Sequence, residues 1–229
     1  MPKTTPFKGF SPETIRFFEK LKTNNNKAWF EKNRDVYEKF VLRPSKSFVE
    51  AVGEKLREFA PKIIAVPKVN GSLFRINRDT RFSADKSPYK TYMGILFWEG
   101  LRQKMESSGY YFHLETPNIM LAAGLYKISR PLLERYRNHV VDPERGADLA
   151  AVLARIEKMK GVSIGGQYYK RVPSGFDPEH SNARWLLHNG LYASWEGPVP
   201  DEFTSEKFIG FCIKHFKNLA PLHDWLKIL

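Results

Sequence analysis

The spacing of apolar residues changes character at Pro67, and that change limits the folds open to the chain. Before it, apolar side chains recur every three or four positions, the period of a helix with one buried face. Ser11-Pro12-Glu13 is a helix start, with serine as N-cap and proline at the first helical position. Ile15, Phe18 and Leu21 follow as its apolar stripe. Asn24-Asn25-Asn26 ends it, and Asn26 caps a second helix carrying Phe30, Tyr37 and Val41 as far as Arg43-Pro44. A third helix is expected over 45–59. After Pro67 the segments 72–82, 92–98, 109–115 and 118–126 are rich in Tyr, Phe, Ile and Leu and are separated by Gly, Ser, Pro and Asn, which predicts strands. Tyr110, Phe112 and Leu114 alternate with Tyr111, His113 and Glu115, and the break at Thr116-Pro117-Asn118 suits an antiparallel hairpin.

Helical spacing returns at Pro131–Val140 and at 146–160. Residues 162–180, dense in Gly, Pro and Ser, read as a long loop. A short helix at Asn182–His188, a short strand at Leu191–Trp195 and a last helix capped by Ser205 and interrupted at Ala220-Pro221 complete the chain. The expected fold is α+β: one domain over residues 1–229 with a central, mostly antiparallel meander packed by N-terminal and C-terminal helices, and residues 1–9 as a loose tail. With 42% apolar and 14% aromatic residues, 229 residues can bury a substantial core. The longest apolar runs are short and the first ten residues lack the apolar segment of a signal peptide, so a soluble, cytoplasmic protein is expected. The single cysteine, Cys212, allows no internal disulfide and reads as a small buried hydrophobe.

The net charge of +12 favours anionic partners, a small molecule or nucleic acid. The excess is uneven: residues 1–100 hold 20 Lys+Arg against 11 Asp+Glu, residues 101–229 hold 17 against 14. Within 62–92 the count is seven against two, and there lies a stretch that sets charges between aromatic residues, SLFRINRDTRFSADKSPYKTY, residues 72–92. If 73–82 are extended, Arg75, Asn77, Asp79 and Arg81 share one face and Phe74, Ile76, Arg78, Thr80 and Phe82 the other. The turn-forming residues 83–88 then fold Lys86, Tyr89 and Lys90 back over it. Guanidinium forks suit phosphate or carboxylate. On a straight strand, however, Arg75 and Arg81 stand about 20 Å apart, so one small anion cannot be held by both.

The segments FSPETIRFFEKLKTNNNKAWFEKNRDVYEKFV, LFRINRDTRFSADKSPYKT, GYYFHLE and KRVPSGFDPEH occur in an order and spacing that resembles the bacterial and fungal family catalogued as domain of unknown function 2461. The resemblance spans almost the whole chain and implies one family domain. It runs through Asn25, Asn26, Trp29 and Phe30, through Arg75, Arg78, Asp79, Arg81, Phe82, Lys86, Pro88, Tyr89 and Lys90, and through Arg171, Gly175, Phe176 and His180. Asn77 departs from it, an aromatic residue being commoner there. The resemblance carries no activity with it.

The residues themselves support two functional readings. In the first, Arg75, Arg78, Arg81, Lys86, Tyr89, Lys90 and Arg171 bind a phosphorylated or other anionic small molecule, with or without turning it over. Asp79, His113 and His180 are then the catalytic candidates, histidine because it titrates near working pH. Asp79 and Asp85 could hold Mg²⁺ beside a substrate phosphate; they could equally pair with the arginines to brace an irregular turn, and no dedicated metal site is expected. In the second, a basic surface binds nucleic acid, and charge reversal at Lys20, Lys22 and Lys39 harms this binding while sparing a pocket. A scaffold without ligand is the third possibility. P-loop, dinucleotide-binding, zincin, hydrolase-elbow and zinc-ribbon motifs are absent. Trp29 and Phe30 offer a stacking platform but sit at helical spacing, which favours packing.

Overall fold

The computed structural model describes residues 6–100 and 102–229. Its class is the expected α+β, built on a six-stranded antiparallel sheet in the order β1-β2-β3-β4-β6-β5. The strands are β1 (Ile63–Ile64), β2 (Met93–Glu99), β3 (Gly109–Glu115), β4 (Asn118–Leu125), β5 (Val162–Gln167) and β6 (His188–Pro198). The helices are α1 (Pro12–Thr23), α2 (Lys27–Lys32), α3 (Arg34–Tyr37), α4 (Arg43–Leu56), α5 (Arg130–Val141), α6 (Pro143–Glu157) and α7 (Lys207–Leu226). Among the described residues no helix is long and apolar enough to cross a membrane.

The chain packs as two compact units. The first comprises the residues up to Phe97 together with Tyr111–Met120 and Gly197–Lys214. Ser11 caps α1 by accepting from the Glu13 N–H, and Asn26 caps α2 by accepting from the Trp29 N–H. The core is a cluster of phenylalanines. Phe10 is 1% exposed and has the rings of Phe7, Phe48, Phe112, Phe203 and Phe208 between 4.9 and 6.3 Å away. Part of the tail expected over 1–9 lies outside the described residues; from residue 6 on the chain is held, since Phe7 is buried against Phe10 and Phe48. Gly9 sits there at φ +107°, and a Cβ would stand 2.3 Å from the Thr204–Ser205 backbone. Only glycine permits that approach. Cys212 is buried, and burial raises its thiol pKa.

The expected helix break at Arg43-Pro44 does not occur. A π-helical turn, Glu38–Leu42, carries α3 into α4, whose first turn contains Pro44. Proline lacks the N–H that an α-helix would direct at the carbonyl of Phe40. The hydroxyl of Thr14, on α1, donates to that carbonyl at 2.6 Å instead, and Ser45 donates to Val41 O at 2.6 Å. Both side-chain donors are buried.

The second unit comprises Trp98–Tyr110, Leu121–Glu196 and His215–Leu229. The loop expected over 162–180 begins with strand β5, antiparallel to β6 with Val162 opposite Trp195. Its glycines, which read as loop composition, are demanded by proximity: a Cβ on Gly165 would stand 2.5 Å from the Tyr192 ring and one on Gly166 2.0 Å from Gly190 O. The helix expected at Asn182–His188 is a 3₁₀ segment, Ala183–Leu187. Asn182 precedes it with a buried side chain whose Nδ2 donates to Val140 O (3.0 Å) and Gly146 O (2.8 Å), closing the α5–α6 corner. The hydroxyl of Tyr136 donates to Trp185 O at 2.8 Å. His223 is fully buried between Ser108 Oγ (2.9 Å) and Glu99 Oε2 (3.3 Å), and burial lowers its pKa. The interruption expected at Ala220-Pro221 is also absent, because α7 continues to Leu226; Leu222, Trp225 and Leu226 extend the buried face past the proline.

Candidate functional site

The signature stretch lies in the first unit, and its backbone departs from expectation. Residues 72–82 form no regular strand. Isolated bridges join Leu73 to Ile95 and Asn77 to Tyr89. Arg78 N donates to Pro88 O (2.9 Å) and Lys90 N to Ile76 O (2.8 Å), so residues 76–90 make an irregular two-stranded ribbon. The expected alternation of faces nevertheless holds. Arg75, Asn77, Asp79 and Arg81 are exposed, whereas Phe74, Ile76, Arg78 and Thr80 are wholly or partly buried. Phe82 breaks the pattern by standing in solvent. A straight strand is prevented by the ribbon's turn, residues 79–87, in which side chains replace backbone partners.

That turn is braced by the two aspartates. Asp79 accepts from Arg81 Nε (2.9 Å) and Nη2 (2.7 Å), a bidentate pair that lowers its pKa. Asp85 accepts from the Ser87 N–H at 2.9 Å and from Arg78 Nη1. The hydrogen bonds from Ser87, and then the Arg78 guanidinium, pull its pKa down to about 2. Lys86 Nζ donates to Thr80 O at 3.0 Å. Because Asp85 is more acidic folded than unfolded, its contribution to the turn is complete above pH 3.8 and is lost as the pH falls towards 2. Amide exchange at Ser87, followed by NMR, is expected to accelerate over that interval. Asp85→Ala should already exchange fast at neutral pH; an Ser87 amide indifferent to both would disprove the bracing.

The ribbon is fastened at Tyr89. Tyr89 and Asn77 face each other as a non-hydrogen-bonded pair, so the N–H and C=O of Tyr89 point away from the ribbon. Asn25, between α1 and α2, takes both: its Nδ2 donates to Tyr89 O (2.8 Å) and its Oδ1 accepts from Tyr89 N (3.0 Å). The Tyr89 ring stacks on Phe30 at 4.2 Å, and burial raises its pKa. Phe30 is a core residue, packed also on Phe17 and Tyr37, as the helical spacing implied.

Between α1, the ribbon and the end of β3 lies an open cleft of about 750 Å³. Lys22 and Asn25 line it from α1 and its connector, Arg78, Asp79, Asp85 and Ser87 from the turn, Tyr89 to Tyr92 from the returning strand, and Glu115 from β3. Three cations and three carboxylates therefore meet there. Two of the carboxylates are engaged by arginines, Asp79 by Arg81 and Asp85 by Arg78. The third, Glu115, is 3.4 Å from His113 Nε2, whose Nδ1 is 3.0 Å from the Tyr111 hydroxyl. Tyr92 packs on the His113 ring at 4.6 Å. Lys22 Nζ donates to Thr116 O at 2.6 Å, and Lys90 Nζ lies 5.5 Å from the Phe74 ring centre and 5.8 Å from that of Tyr92. Behind Tyr92 a void of about 20 Å³ runs in among Phe18, Val41, Leu73 and Met93.

Of the residues singled out from sequence, Arg78, Asp79, Tyr89 and Lys90 line the cleft, and His113 backs it through Glu115 and Tyr92. Arg75, Arg81 and Lys86 are exposed and outside its lining. Arg171 and His180 belong to the second unit, where Arg171 is exposed and His180 Nδ1 accepts from the Asn182 N–H at 3.0 Å. Lys22, Tyr92 and Glu115 were not foreseen, because a lysine in the last turn of a helix and a glutamate at a strand end look ordinary in one dimension. Lys22, proposed as a scattered surface charge, cannot separate the two functional readings once it lines the cleft; Lys20 and Lys39 still can. Among the described residues no cluster of three or more His, Cys, Asp or Glu is disposed to hold a metal ion. No curated protein matches the sequence. The family described as conserved hypothetical protein DUF2461 matches residues 13–225, nearly the full chain, and to that family the protein belongs.

Proposed function

We propose that the cleft binds a small polar molecule through an anionic group. The observation that carries this reading is the meeting at one cleft of Lys22 from α1 with Arg78 and Lys90 from the two arms of the ribbon, where Asp79 is paired by Arg81 from outside the lining and Asp85 occupies one end of the Arg78 guanidinium. An ammonium has three donors, and Lys22 gives one to Thr116 O. Tyr92 adds an aromatic wall, and Glu115, Ser87 and Asn25 add polar groups that orient a ligand carrying hydroxyls or amines. Its volume suits a metabolite with one or two rings or phosphates.

Thermal melting in the presence of orthophosphate, a nucleoside diphosphate and a hexose phosphate tests the reading. Free ligand at ten times its Kd stabilises the folded state by about 1.4 kcal/mol, about 3–6 °C for a chain of this size. Lys90→Gln and Lys22→Gln should fold normally and lose most of that response. Arg78 is the wrong position to change, because it also braces the turn. A wild-type midpoint indifferent to all three anions, or an unchanged response in both variants, refutes the proposal.

A further inference from the structure

Phe82, at the tip of the ribbon, is 96% exposed, more than any other large apolar side chain among the described residues. Such exposure is ordinary on a loose loop. This turn is held by Asp79–Arg81, by Asp85 with Arg78 and Ser87, and by Lys86 with Thr80, so the ring is presented in a fixed place. The Arg81 guanidinium, itself fixed by Asp79, lies 5.7 Å from the ring centre. Arg75 and Lys86 are exposed on the same ribbon, whose two acids are both neutralised internally.

We infer that the tip binds single-stranded nucleic acid, with one base stacked on Phe82 and phosphates along the strand meeting the exposed cations Arg75 and Lys86. Every base offers a π-face, so one rigid aromatic flanked by cations suffices for sequence-tolerant stacking. A membrane surface fits the tip less well. Insertion needs several apolar side chains, whereas the neighbours of Phe82 are Arg81, Ser83, Ala84 and Asp85. This surface uses none of Lys22, Lys90, Tyr92 or Glu115, so Lys22→Gln and Lys90→Gln test the cleft without touching it.

Fluorescence anisotropy with a labelled twelve-residue oligothymidylate at low salt is the direct test. The wild type is expected to bind, more weakly as salt rises. Phe82→Ala should weaken binding about five- to one-hundredfold. It should also melt as the wild type does, since the ring is almost wholly in solvent. Arg75→Gln should lower affinity and reduce the salt slope by about 0.7, while Lys158→Gln and Lys160→Gln, exposed in the second unit, should leave both unchanged. The inference falls if Phe82→Ala binds as tightly as the wild type, or if the lysine controls weaken binding as much as Arg75→Gln. It falls equally if the oligomer is not bound while phosphatidylserine vesicles capture the protein through Phe82.

Discussion

Asn25→Ala is expected to lower the thermal midpoint by about 5–15 °C, although it removes only three side-chain heavy atoms. The mechanism is the orphaning of two backbone groups. The N–H and C=O of Tyr89 have Asn25 as partner at 3.0 and 2.8 Å, and Tyr89 is 5% exposed. Leaving a buried donor or acceptor unpaired costs about 1–3 kcal/mol each, and a chain of this length loses about 2–4 °C per kcal/mol. Asn25→Asp keeps the acceptor for Tyr89 N but sets a carboxylate oxygen against Tyr89 O, so it should fare little better. Differential scanning calorimetry measures the midpoint, and hydrogen exchange at Tyr89 and Lys90 reports whether the ribbon detaches. A midpoint within 2 °C of wild type, with protected Tyr89, would show that Asn25 is not the fastener.

The second large effect is expected in the core. Phe10→Ala removes a ring that is 1% exposed and in contact with five others. Phe-to-Ala changes at such positions cost about 3–5 kcal/mol, because the lost transfer energy is joined by a cavity that rigid neighbours cannot fill. The Gly9 contact with the Thr204–Ser205 backbone and the Phe10 N–H bond to Phe203 O (2.9 Å) limit any collapse on that side. Urea unfolding should show a lower midpoint with an unchanged m-value, since the same surface is exposed on unfolding. Phe10→Leu, which refills most of the space, should cost less than half as much. Equal costs for the two variants would rule out the cavity as the cause.

Much of this architecture is legible in one dimension because burial is periodic. Tyr110, Phe112 and Leu114 are wholly buried while Tyr111, His113 and Glu115 face the other way, as the alternation required. The same rule located the faces of residues 74–81 even though no regular strand forms there. What escaped notice were features set by encounter rather than period. Strand β5 was hidden by glycines that exist because Tyr192 and Gly190 come too close for a Cβ. The carbonyl that Pro44 cannot serve accepts from a hydroxyl thirty residues before the proline. At the cleft, the charge-rich stretch drew attention to Arg75, Arg81 and Lys86, yet those three stand exposed outside the lining, and of its cations Arg78 and Lys90 reach it, beside Asp79, Asp85 and Tyr89. Lys22 and Glu115 had no local signal, since their meeting with Arg78 is a property of the fold.

The joint at Pro44 has a meaning for inheritance as well as for shape. The Phe40 carbonyl, which a proline at 44 cannot serve, accepts from the Thr14 hydroxyl, so that one hydrogen bond joins residues written at two separate places in the gene. Lose the hydroxyl, and that carbonyl gives up the donor by which α1 is tied to the point where two helices are spliced.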